Sequence, residues 1–138
     1  MELRFAHLAD FASVDGSGKL TIVGIFDIVW DRTGQRPIVF PPCHLVAAFA
    51  GSVAEGSAHT AAVALVDADE TVVWEGLQAQ LQFTPFGPGY PLRAQFVLGF
   101  VPGVLTVPDH GDYHLVFRID GHTVGEIGVS VLAPPPAP

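Results

Sequence analysis

The residues able to hold a cation or a ring sit mostly in turns between apolar runs. Asp67, Asp69, Asp109 and Asp112 would gather, with Asp31 and Glu70, at one end of a β-domain whose strands simply alternate in direction. Calcium is held by several carboxylate and carbonyl oxygens at once, so these four aspartates are the metal candidates. Aspartate also opens turns by bonding its own backbone, and like charges spread apart in water, which is a simpler use of the same residues. Phe86 and Tyr90, in the loop "TPFGPGY", are candidates for stacking on a planar ligand. The prolines around them, Pro85, Pro88 and Pro91, equally suit a stiff connection.

Six histidines raise the question of a transition metal. His110 and His114 share a strand face but stand about 13 Å apart at roughly 3.3 Å per residue, too far to chelate together. His7, His44, His59 and His122 belong to separate segments without ligand spacing. Cys43 and His44 are adjacent, yet strand neighbours point to opposite sides, so they make no nucleophile and base pair. There is no Gly-x-Ser-x-Gly elbow and no dinucleotide fingerprint, and "GSGK" is too short for a phosphate loop and runs into a strand. The reading is therefore non-enzymatic, with no cofactor.

Composition narrows the partners. Six Lys and Arg against 14 Asp and Glu give a net charge of −8, with no basic patch. Phosphate neutralisation supplies most nucleic-acid affinity and anionic membranes ask for the same residues, so neither partner is expected. The chain is 49% hydrophobic and only 14% charged, which leaves apolar surface exposed and favours association with protein. One cysteine allows no internal disulfide, and "MELRFAHLADF" has no signal-peptide pattern, so a soluble cytoplasmic protein is expected.

No 3.6-residue period holds for three turns, whereas β-branched and aromatic residues alternate in short runs between Gly, Pro and Asp clusters. The spacing predicts strands over Leu3–Val14, Lys19–Trp30, His44–Gly51, Thr60–Val66, Thr71–Phe83, Leu92–Phe100, Asp112–Ile119 and Thr123–Leu132. About eight strands at this spacing suggest an all-β, immunoglobulin-like two-sheet antiparallel sandwich over residues 1–132, followed by a Pro-rich tail over 133–138. In "PDHGDYHL", Gly111 precedes Tyr113 by two residues at a strand start, the pattern of a tyrosine corner, whose phenol bonds back to upstream backbone. In the last hairpin a two-residue Asp120-Gly121 turn would oppose Leu115 to Glu126 and bury a carboxylate. Either the loop has three residues or a bulge at Gly125 or Gly128 shifts the register.

Two stretches, "LADFASVDGSGKLTIVGIFDIV" and "GDYHLVFRIDG", carry Ala9-Asp10-Phe11-Ala12, Gly18-Lys19-Leu20, Gly24-Ile25-Phe26-Asp27 and Gly111-x-Tyr113. In these the chain resembles a family of small bacterial proteins, a domain of unknown function, whose pattern has tyrosine where Phe11 stands. The resemblance implies a β-sandwich and a bacterial source, and brings no activity or site residues.

The stretch "GKLTIVGIFDIVW" is apolar on both faces, because Leu20, Ile22, Phe26, Ile28 and Trp30 share one parity and Val23, Ile25 and Val29 the other. With the first set in the core, Val23, Ile25 and Val29 face outward and need a cover. That cover is either the long loop carrying Ile38, Val39 and Phe40 or a second copy. The expected contact surface is thus Val23, Ile25, Val29, Ile38 and Phe40, and the expected function is a protein-interaction module that forms a homo-oligomer or binds a protein partner. The alternative is a ligand- or calcium-binding sandwich using its apical loops.

Overall fold

The computed structural model describes residues 1–85 and 87–136. It is all-β, with strands β1 (Glu2–Val14), β2 (Leu20–Phe26), β3 (Ile28–Trp30), β4 (Ile38–Val39), β5 (Cys43–Gly51), β6 (Ala58–Val66), β7 (Val72–Gln82), β8 (Thr84–Pro85), β9 (Leu92–Phe100), β10 (Thr106–Val107), β11 (Gly111–Ile119) and β12 (His122–Leu132), and one 3-10 turn at Val53–Glu55. Eight of these are long and stand where alternation places them. The count is twelve rather than about eight because the chain also makes four short pairings, β3, β4, β8 and β10. Two sheets have five strands, in the orders β2-β1-β5-β9-β8 and β3-β12-β11-β6-β7, and β4 pairs with β10 alone.

Alternation builds one core between the large sheets. Leu45, Ala47 and Phe49 of β5 meet Leu115 and Phe117 of β11, with the Phe49 and Phe117 rings edge to face at 6.2 Å. The small β4–β10 sheet adds Ile38, Phe40, Leu105 and Val107 to the same cluster. Each large side chain so buried is worth roughly 1.5–3 kcal/mol over its exposed state.

The segment with two apolar faces is not one strand. At Asp27 the chain leaves the first sheet, and β3 joins the second, running parallel to β12 with Val29 opposite Val131. The crossing reverses which parity faces the core. Val29 becomes a core residue at 3% exposure, while Ile28 and Trp30 turn outward. Three of the expected contact residues are therefore corrected: Val29, Ile38 and Phe40 are buried in the core, and only Val23 and Ile25 lie on the surface. The loop carrying Ile38 and Phe40 covers the core rather than β2, because its alternate residues pack inward as β4 pairs with β10.

The β1–β2 ribbon bends back over the first sheet. Gln95 Nε2 donates to the Gly18 carbonyl at 2.7 Å, although Gln95 pairs with Ala48 and Ala48 with Phe5. In a straight ribbon Gly18 would lie roughly 40 Å beyond Phe5 at about 3.3 Å per residue. Gly24 supplies the conformation for such a bend, with φ of 71° and a missing Cβ whose place is taken by the Asp10 carboxylate. Val46, Ala48 and Ala50, which alternate with the core-facing residues of β5, are also buried, and the hairpin tip lies beside Ala48. Ser17 and Gly18 border one depression there with Phe5, Ala48, Arg93 and Gln95.

The last hairpin keeps the tight turn and corrects its register with a bulge. Asp120 and Gly121 have φ of 51° and 82°, as a two-residue hairpin turn of the primed kind requires. Phe117 then faces Gly125 and Arg118 faces Thr123, so Val124 is the extra residue and Leu115 meets Ile127 instead of Glu126. The expected tyrosine corner is present: Tyr113 Oη donates to the Asp109 carbonyl at 2.6 Å.

Beside that turn, His59 lies between two acceptors. Its Nδ1 is 2.5 Å from Asp120 Oδ2 and its Nε2 is 2.9 Å from the Gly56 carbonyl. Neither an ionised carboxylate nor a carbonyl donates, so the imidazole serves both acceptors when both ring nitrogens carry hydrogen. The Asp120 bond first, then the Gly56 bond, raise the His59 pKa above 6.5 against its burial, and the His59 bond foremost lowers that of Asp120 below 3.8.

Gly24→Ala should cost roughly 1–3 kcal/mol in urea unfolding, from the left-handed backbone and the crowded carboxylate. Gly16→Ala, where the added methyl meets open space, should cost little. The histidine contributes stability that is full below pH 6.5 and lost as pH rises through its raised value, and the carboxyl contributes stability present above pH 3.8 and lost as pH falls through its lowered one. Urea titrations should therefore show stability declining on the alkaline side, and Asp120→Asn should flatten that decline; an unchanged slope in the variant would rule the pair out as its source.

Candidate functional site

The acidic end of the fold is tied together by hydrogen bonds rather than left open. Asp31, its side chain only 4% exposed, accepts from Arg36 Nη1 at 2.9 Å and His110 Nε2 at 2.8 Å through Oδ2, and from the Gly34 N–H at 3.0 Å through Oδ1. Arg36 Nη2 continues to Asp109 Oδ1 at 3.0 Å. The His110 bond, then the Gly34 N–H and Arg36, hold the Asp31 carboxyl below its ordinary range despite its burial, and Asp31 and Asp109 raise the Arg36 pKa. This network clamps the loop after β3 to the corner before β11.

The four metal candidates are not brought to one point. Asp67 Oδ1 accepts the backbone N–H groups of Asp69 and Thr71, each at 2.9 Å, and so closes its own turn. Asp109 is engaged by Arg36 and by the His110 N–H, while Asp112 accepts from Ser130 Oγ at 2.7 Å. Asp69 stands exposed in the same turn as Asp67. Among the described residues no group of three or more His, Cys, Asp or Glu is placed to hold a metal ion. Tyr90 is exposed in its Pro-rich loop, and Phe86 lies outside the described residues. Burial, and secondarily the nearby Asp10 charge, push the Cys43 thiol up to about 11, so at neutral pH it carries no thiolate to act as a nucleophile.

What remains is exposed apolar surface on β1 and β2 and around one groove. Phe11, Val23 and Ile25 are 49%, 53% and 58% exposed, with Phe11 directly opposite Val23 and edge-on to His44 at 5.3 Å. Past the crossing, Ile28, Trp30 and Val39 are also exposed, and they border a groove of about 570 Å³. Its apolar lining includes Phe26, Val29 and Ile38, while Asp10 and Arg32 also border it. Sequence reasoning found Val23 and Ile25 from their parity. It missed Phe11, which reads as an ordinary strand residue, and it missed Ile28 and Trp30 because the crossing inverts the alternation that placed them inside.

No helix among the described residues is long and apolar enough to cross a membrane. No curated protein matches the chain. A model of a family of unknown function, DUF6941, matches residues 4–132, from within β1 to the last residue of β12. The match takes in both large sheets, the bend at Gly24, the crossing at Asp27 and the tyrosine corner, and by it the chain belongs to the DUF6941 family, whose function is unknown.

Proposed function

We propose that this chain is a non-enzymatic, immunoglobulin-like sandwich of the cytoplasm that acts by protein contacts, with a second copy of itself as the first partner. The immunoglobulin-like reading is supported by two five-stranded sheets on one core and by the Tyr113 corner. The contact reading is carried by one observation. Phe11, Val23 and Ile25 stay exposed on a chain with only 14% charged residues, although Val46, Ala48 and Ala50 on the same sheet are buried. Burying about 300 Å² of such surface is worth roughly 7 kcal/mol before association costs, enough to matter and not enough to guarantee a dimer.

Native mass spectra of the protein over a range of concentrations test this. A dimer or higher oligomer without added mass is expected, with Ile25→Asp and Val23→Lys weakening it at least tenfold while the melting curve stays cooperative. A bare monomer at every concentration overturns the self-contact. A monomer with retained mass, or a melting temperature raised by millimolar calcium, gives the function instead to the apical loops.

A further inference from the structure

Among the strands with an open edge in the described residues, β3 and β4 border the groove. β3 is the last strand of its sheet, and β4 pairs with β10 alone. Consecutive residues of each, Ile28 to Trp30 of β3 and Ile38 and Val39 of β4, line the groove, together with Pro37 just before β4, as an edge does and a face does not. The direction of the backbone follows from the bonds on the other side. Ser130 donates to the Asp27 carbonyl and Asp31 donates to the Leu132 carbonyl, both at 2.8 Å. Ladder groups alternate, so the N–H and C=O of Ile28 and Trp30 point away from β12. Phe40 donates to the Leu105 carbonyl at 2.9 Å, which turns the N–H and C=O of Val39 away from β10 in the same manner.

We propose that this groove receives an extended apolar segment of a partner protein as an added β-strand. A peptide backbone offers donors and acceptors in the alternation that Ile28, Trp30 and Val39 present, and apolar side chains at every second position suit a lining of Phe26, Val29 and Ile38. The chain's own tail cannot serve, in this copy or another, because four of its six residues are prolines without an N–H to donate. Charge sets the direction. Asp10 stands at the end near Phe26 and Arg32 at the loop end, and among the described residues neither makes a salt bridge. A segment with a cation first and an anion last therefore runs parallel to β3, as β12 does on the other edge.

The probe is the synthetic peptide acetyl-Lys-Val-Thr-Val-Thr-Val-Glu-amide, followed by amide hydrogen exchange in the full chain. Exchange at Ile28, Trp30 and Val39 is expected to be fast in the free protein and at least tenfold slower with the peptide. Asp10→Asn and Arg32→Gln should each weaken binding about threefold or more without moving the melting curve. Replacing the central valine of the peptide by proline, or its lysine by glutamate, should abolish most of the protection. No binding up to millimolar peptide, binding without protection of those three amides, or full tolerance of the proline overturns the proposal. The inference rests on the contact-module reading but fails apart from it. Protection that rises with protein concentration alone would give the groove to a second copy, sinking the partner strand and keeping the module. An oligomer unaffected by the peptide leaves the two surfaces distinct and is decided by the exchange result.

Discussion

The fold depends on one constraint: a strand shows alternate residues to alternate sides, and the segment from Leu20 to Trp30 must edge both sheets. It does so by leaving one ladder at Asp27 and entering the other one residue later. Continuity through that single residue ties the two sheets along one side, and the inversion of parity puts Val29 where Ile28 or Trp30 would otherwise enter the core. The exposure of Ile28 and Trp30 is the other product of the same step.

Where charge is scarce, a few charged groups tie the ends of the fold together. Asp31, Arg36, Asp109 and His110 bind a long loop to the tyrosine corner, and His59 with Asp120 binds the 3-10 turn region to the last hairpin. These contacts hold the ends of the fold, where short connections bury little apolar area. The sides are held by apolar packing, and the surface left over between them is correspondingly poor in charge.

Much of the fold was legible because local conflicts have few solutions. Glu126 opposite Leu115 demanded a shift of register, and the structure makes it at Val124, beside Gly125, where a Cβ would collide with Leu3. Gly111 before Tyr113 announced the corner within three residues. The crossing at Asp27 was written in the sequence as two apolar parities, but an uncovered face produces the same pattern, and only the long-range pairing with β12 separates the two. His59 and Asp120 are 61 residues apart, and nothing near either one points to the other. The candidate contact site was legible by half for the same reason: Val23 and Ile25 precede the crossing and Val29 follows it.

The hairpin that lies back over the first sheet has a consequence for the order in which the chain is assembled. Its tip is held by a bond between residues 77 positions apart, to a strand that comes late in the sequence. Local pairing forms the ribbon early, but its resting place is complete only when β9 stands beside β5, so docking follows closure of a long loop. The flap is thus the last part to settle and the first to lift when the structure loosens. Lifting it would open Val46 and Ala48, which the resting molecule keeps buried, to solvent.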